Sequence, residues 1–147
     1  MGTGSGIQAL TCKKQGFNNI IAADINKEAI KILKKQKIKA IHSNLFSRIN
    51  KKDKFSLIIF NPPYLPEDKY DNNPDTTAGK KGYELIIEFL KHAKYHLENE
   101  GAILLLFSSL SKPKIILKKA KIMKYNYELL DKQKIFFEEL YVYKFFF

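Results

Sequence analysis

The chain has 147 residues, 45% of them apolar, which is material for one compact core and a single domain. No apolar run approaches the 18 or more residues of a helical membrane span and no signal-peptide pattern is expected, so an integral helical membrane protein is excluded and a cytoplasmic one anticipated. The net charge of +11 favours acidic partners such as RNA or DNA. Yet 25 of the 26 basic residues are Lys, as an A/T-rich genome would encode, and the sole Arg48 leaves little for bidentate phosphate or base contacts. Cys12 is the only cysteine, so an intrachain disulfide is excluded, and it reads as a small packed residue. His42, His92 and His96 lack a Cys or carboxylate cluster at ligand spacing, and no bound metal is expected.

In chain order, Gly2-Thr3-Gly4-Ser5-Gly6 opens the sequence and runs into Ile7, Ala9, Leu10 and Cys12, a glycine-rich loop leading a helix over 6–15. Such a loop lets backbone approach a ligand at a helix N-terminus, although the spacing is G-x-G-x-G rather than the dinucleotide G-x-G-x-x-G. A plain structural turn is the competing reading. Strand 19–24 ends in Asp24, at roughly the offset where nucleotide-binding α/β folds place a ribose-binding carboxylate. An N-cap for the next helix, 26–36, is the alternative. A strand at 38–42 follows, then a strand at 55–60 whose apolar run ends directly in Asn61-Pro62-Pro63-Tyr64.

Open α/β sheets carry their chemistry at strand ends, so this tetrapeptide is the most informative stretch of the chain. The Asn61 side-chain oxygen and the Pro62 carbonyl can each accept one hydrogen of a planar –NH2 group. Pro63 stiffens the backbone and the Tyr64 ring offers a flat cover. Residues 65 to 81 are an unpatterned segment rich in Pro, Asp, Asn and Gly, read as a substrate-facing flap with Gly79 and Gly82 as hinges. A helix over 82–97 carries the stripe Leu85, Ile86, Phe89, Leu90, Ala93 and Leu97, which reads as core packing. The remaining elements are a strand at 101–108, a helix at 112–123, and an antiparallel pair near 126–131 and 137–146 whose aromatic last strand should be buried on both faces. An exposed hydrophobic partner site is the other reading of that aromatic end.

Gly2-Thr-Gly-Ser-Gly6, Ala23-Asp24-Ile-Asn26, Ser43-Asn-Leu-Phe46 and Asn61-Pro-Pro-Tyr-Leu-Pro66 occur in this order, followed by Gly79-Lys-Lys-Gly-Tyr-Glu84, the strand from Gly101 to Ser109 and Phe136-Phe-Glu-Glu-Leu-Tyr141. The chain resembles the HemK-like S-adenosylmethionine-dependent methyltransferases with an NPPY motif, over nearly its whole length, and most of all their short archaeal and eukaryotic release-factor branch. The resemblance implies an α/β fold with a Rossmann-like class I methyltransferase sheet, mostly parallel with a C-terminal antiparallel strand pair. Family members carry a strand and an acidic residue before the glycines, so a missing first strand and an N-terminally truncated chain are expected. Asn44 stands where the family usually has Asp.

By that resemblance Gly2, Thr3, Gly4, Ser5, Gly6, Asp24, Asn44, Leu45 and Asn61 would hold S-adenosylmethionine, with Asp24 on the ribose and Asn44 and Leu45 beside the adenine. Asn61, Pro62, Pro63 and Tyr64 would present the methyl acceptor. The implied substrate is a glutamine side chain in the Gly-Gly-Gln tip of a translation release factor, and the implied partner a small zinc-binding activator subunit. N6-adenine methylation of DNA or RNA, protein-lysine methylation, and a binding module without activity are the alternatives.

Overall fold

The structure is a computed structural model and describes residues 1–63 and 82–147. Tyr64, the expected flap over residues 65 to 81 and its hinge Gly79 lie outside the described residues. The chain divides into two compact units, Met1–Asp53 and Lys54–Phe147.

The first unit holds α1 (Ile7–Lys14), β1 (Ile21–Asp24), α2 (Lys27–Lys35) and β2 (Lys39–His42). The two strands pair in parallel, with Asp24 opposite His42. Asn26 starts α2 by accepting the Glu28 N–H at 2.8 Å, the usual role of an Asn flanking a helix. Ala9, Ala22, Ile30, Leu33, Ile38 and Ala40 form the unit's core, with Leu10 and Ile20 packed on it. Five of the six are small or β-branched, which suits a short helix lying close on two strands.

The second unit is built on a four-stranded sheet in the order β3-β4-β6-β5, from β3 (Phe55–Phe60), β4 (Leu97–Ser108), β5 (Asn126–Lys134) and β6 (Glu139–Phe146). β3 and β4 run parallel, and β6 runs antiparallel to both β4 and β5. Among the described residues, β1 is an edge of its pair and β3 an edge of its four strands. α3 (Glu84–Ala93) and α4 (Pro113–Ile122) contribute Ile86, Phe89, Leu90, Ala93, Ile116 and Ala120 to the core, each fully buried. Ile103, Leu105 and Phe107 of β4 and Phe145 of β6 are fully buried as well.

Two expectations are corrected here. The helix expected to reach residue 97 stops at Ala93, and Leu97 instead opens β4 opposite Phe55. The Phe55 N–H donates to the His96 carbonyl at 2.8 Å, and this long-range bond captures the chain as strand. The ladder then skips from Phe55/Leu97 to Leu57/Ala102. Gly101 closes that irregularity, since a Cβ there would stand 2.8 Å from the Phe55 carbonyl oxygen. The second correction concerns β6, where Phe145 alone is fully buried and the other residues are half-exposed. Among the described residues its outer neighbour is β5, which is almost wholly solvent-facing and lends little cover.

Tyr125 is fully buried and its hydroxyl donates to the Leu90 carbonyl at 2.9 Å. Burial pushes its pKa well above the ordinary phenol value, so it remains a donor throughout the physiological range. Tyr125→Phe is expected to cost about 1–2 kcal/mol, read as a lower urea midpoint at unchanged slope.

Candidate active site

The expected ligand-binding residues of the first unit cluster around the carboxyl ends of β1 and β2. The Thr3 N–H donates to Ala23 O at 3.2 Å and the Gly6 N–H to Thr3 O at 2.8 Å, which folds Gly2–Gly6 back over the end of β1. Gly4 takes a φ of +49°, and a Cβ built on it would meet nothing within 4 Å among the described residues. Gly2, Gly4 and Ser5 are exposed, whereas Thr3 and Gly6 are buried. No side chain caps the N-terminus of α1, so its first-turn N–H groups remain directed at whatever approaches the turn.

Asp24 is 8% exposed, and its two oxygens are divided between two backbone donors. Oδ2 accepts the Gly4 N–H at 2.7 Å and Oδ1 accepts the Asn26 N–H at 2.8 Å. The helix cap proposed as the alternative role is taken by Asn26. Asp24 therefore ties the glycine turn to the entrance of α2, and a carboxylate with about four acceptor positions keeps two for a ligand diol.

The 43–49 turn is organised by Ser43, which is 3% exposed. Its hydroxyl donates to the Leu45 carbonyl at 2.7 Å and accepts the Arg48 N–H at 3.0 Å. Its N–H donates to Asp24 O at 2.8 Å, so the ends of both strands are locked together. Asn44 is exposed, and Leu45 holds a left-handed φ of +45°. A non-glycine residue there costs on the order of 1 kcal/mol, a cost the Ser43 contacts offset.

Ile25 was not among the residues singled out by sequence. It is 65% exposed directly after Asp24, and the His42 Nε2–H donates to its carbonyl at 2.9 Å. An aliphatic side chain held in water beside a carboxylate and an exposed amide is suited to cover one face of a flat heterocycle. The available signal was an apolar residue continuing past the carboxylate that ends the strand.

In the second unit, Phe60 ends β3 opposite Leu105, and its ring packs on Phe89 at a centroid distance of 4.5 Å. The chain then leaves the sheet at Asn61, which is exposed, while Pro62 is buried and Pro63 partly so. A polar amide is thus presented to solvent on a backbone fixed by two prolines and anchored by a buried aromatic pair. Asn61, also expected to touch the cofactor, belongs to a different unit from the other eight residues of that set. Among the described residues no group of three or more His, Cys, Asp or Glu side chains could hold a metal ion.

Residues 1–136 match the methyltransferase small domain. The chain belongs to that family. A Methanocaldococcus jannaschii relative named a protein N5-glutamine methyltransferase is 33% identical, over 97% of this chain and 77% of its own length. Among solved structures, the E. cuniculi Mtq2-Trm112 complex, described as responsible for methylation of the eRF1 translation termination factor, aligns with a TM-score of 0.77 at 25% identity. That alignment covers 97% of this chain and 79% of the solved one. A Bacteroides fragilis S-adenosylmethionine-dependent methyltransferase in complex with S-adenosylhomocysteine aligns with a TM-score of 0.68 at 17% identity, over 98% and 69% of the two chains. The fold of this methyltransferase small-domain protein is that of class I S-adenosylmethionine-dependent methyltransferases, a mostly parallel sheet with an antiparallel C-terminal pair.

Proposed function

We propose that this methyltransferase small-domain protein uses S-adenosylmethionine to methylate the N5 nitrogen of a glutamine side chain in a translation release factor. The observation that carries the reading is the exposed Asn61 on its Pro62-Pro63 backbone at the carboxyl end of β3. Its support includes the M. jannaschii relative's name and the eRF1-methylating E. cuniculi complex.

The first unit's residues fit the cofactor. Asp24 retains acceptor positions for the ribose hydroxyls, Ile25 and Leu45 offer apolar contact to adenine, Asn44 offers it a polar edge, and the open side of Gly4 admits the methionine portion. When bound, S-adenosylmethionine supplies an electrophilic methyl group on a sulfonium sulfur. The Asn61 Oδ1 and the Pro62 carbonyl each accept one hydrogen of the target –NH2. An amide nitrogen is a poor nucleophile because its lone pair is delocalised, so orientation must supply much of the acceleration, up to roughly 7–11 kcal/mol. Hydrogen bonds that tighten as positive charge develops on the nitrogen stabilise the transition state more than the ground state. The proton then leaves to solvent.

Tritiated S-adenosylmethionine incubated with release factor, and peptide mapping of the label to the Gly-Gly-Gln glutamine, tests the reading. Label found only in nucleic acid would overturn it. By the same likeness we place the protein in the cytoplasm and assign it a small activator partner, to be sought by co-purification. Asp24→Ala is expected to weaken cofactor binding by about tenfold or more, because charge-assisted hydrogen bonds to the diol and the Gly4 anchor are lost together. Calorimetric titration with S-adenosylhomocysteine measures it.

A further inference from the structure

The turn between β5 and β6 carries an exposure that the fold does not explain. The Ile135 N–H donates to the Glu138 carbonyl at 2.9 Å, which makes Phe136 and Phe137 the two corner residues of a tight hairpin. Phe136 is 97% and Phe137 94% exposed. Tight hairpins favour Asn-Gly corners with positive φ, and neither phenylalanine has one. Both residues are therefore poor turn formers that leave large apolar surface in water.

The acidic side chains beside the tip are already engaged. Glu138 accepts the Ser108 hydroxyl, Glu139 accepts the Tyr141 hydroxyl at 2.7 Å, and the Asp131 carboxylate accepts the Lys132 N–H at 2.8 Å. Lys132 and Lys134 are exposed next to the two rings. The tip thus presents two aromatic rings among side chains of both signs, Lys132 and Lys134 with Asp131, Glu138 and Glu139.

Its position within the second unit is set by the strand register. Asn61 follows Phe60, which pairs with Leu105; β4 continues to Ser108, opposite Leu140, and the tip lies three residues before Leu140. The hairpin therefore projects from the same end of the sheet as Asn61, reaching roughly 20 Å beyond it at about 3.3 Å per residue. A group that far out is placed to touch a macromolecule carrying the methyl acceptor and lies beyond a short peptide bound at Asn61.

We propose that Phe136 and Phe137 are a docking tip that enters an apolar pocket on the protein substrate, away from the methylated glutamine. This inference rests on the proposed function. The test compares methylation of intact release factor with that of a short Gly-Gly-Gln peptide, for the wild type, F136S/F137S and F136L/F137L. The serine pair is expected to raise KM for the intact factor about tenfold or more with kcat nearly unchanged, to leave peptide kinetics untouched, and to be rescued by the leucine pair. An unchanged KM for the intact factor, or an equal loss on the peptide, would overturn the docking role. So would a loss of affinity for an oligouridylate with KM for the factor unaltered, which assigns the tip to RNA. Failure of the wild type to methylate either glutamine substrate overturns the proposed function itself and the inference with it.

Discussion

Asn61→Ala is expected to lower turnover by about 10²-fold or more, corresponding to roughly 2.7 kcal/mol of lost transition-state stabilisation, with cofactor affinity unchanged. The side chain is exposed at the end of β3, so its truncation opens no cavity and leaves the Phe60–Phe89 anchor in place. The residues proposed to hold the cofactor belong to Met1–Asp53, which is why binding and turnover should separate. Asn61→Asp sharpens the test, because it keeps the acceptor oxygen while replacing the amide donors with a second, negatively charged acceptor. If acceptance of the target –NH2 is what matters, the Asp variant retains more turnover than the Ala variant. Rapid-quench measurement of a single turnover, with calorimetry on the same samples, separates the two quantities. Equal losses of binding and turnover would move Asn61 into the cofactor site.

Much of the second unit was legible because its local and long-range preferences agree. The run from Phe55 to Phe60 is apolar, short and stopped by Asn-Pro-Pro, and the strand spans those residues. Leu97 shows where legibility ends. It continues the helical stripe of α3 and equally suits the first position of a buried strand, and the choice is made by a bond from Phe55 to His96, forty-odd residues away in sequence. β6 was misjudged for a related reason. Aromatic content signals a strand, but how deeply it is buried depends on the strand beside it, and β5 is nearly all solvent-facing.

The site was legible in its residues and less so in their division of labour. Gly4, Asp24 and Asn44 do gather at one end of β1 and β2. Sequence offset pointed to Asp24 as a ligand group, yet its carboxylate first holds the glycine turn through the Gly4 N–H. Ser43 went unremarked as a functional support because a buried serine has no pattern of its own; its role rests on three hydrogen bonds that exist only once the turn is folded. The phenylalanines at the hairpin tip were visible as letters, but their solvent exposure belongs to the turn geometry.

Gly6→Ala and Gly4→Ala should separate folding from ligand binding within a single turn. Both glycines have positive φ, +85° and +49°, so either substitution carries the left-handed penalty of an L-residue, about 1–2 kcal/mol. Their surroundings differ. A Cβ on Gly6 would stand well inside contact distance of the Leu33 Cδ2, and Leu33 is fully buried in the first unit's core, with little room to change rotamer. Overpacking of that kind adds about 1–3 kcal/mol, so Gly6→Ala is expected to cost roughly 2–5 kcal/mol in all. A Cβ on Gly4 meets nothing among the described residues within 4 Å and points into the space the cofactor is proposed to use. Gly4→Ala should therefore lose only the backbone penalty of about 1–2 kcal/mol, a smaller drop in urea midpoint than that of Gly6→Ala, while its affinity for S-adenosylhomocysteine falls by tenfold or more, at about 1.4 kcal/mol per decade. Urea titration followed by circular dichroism, paired with calorimetry on the folded variants, measures both effects. A Gly4 variant that binds as tightly as the wild type would show that the open side of the turn is not where the ligand approaches, and Asp24 would then remain a structural tie with no diol to hold.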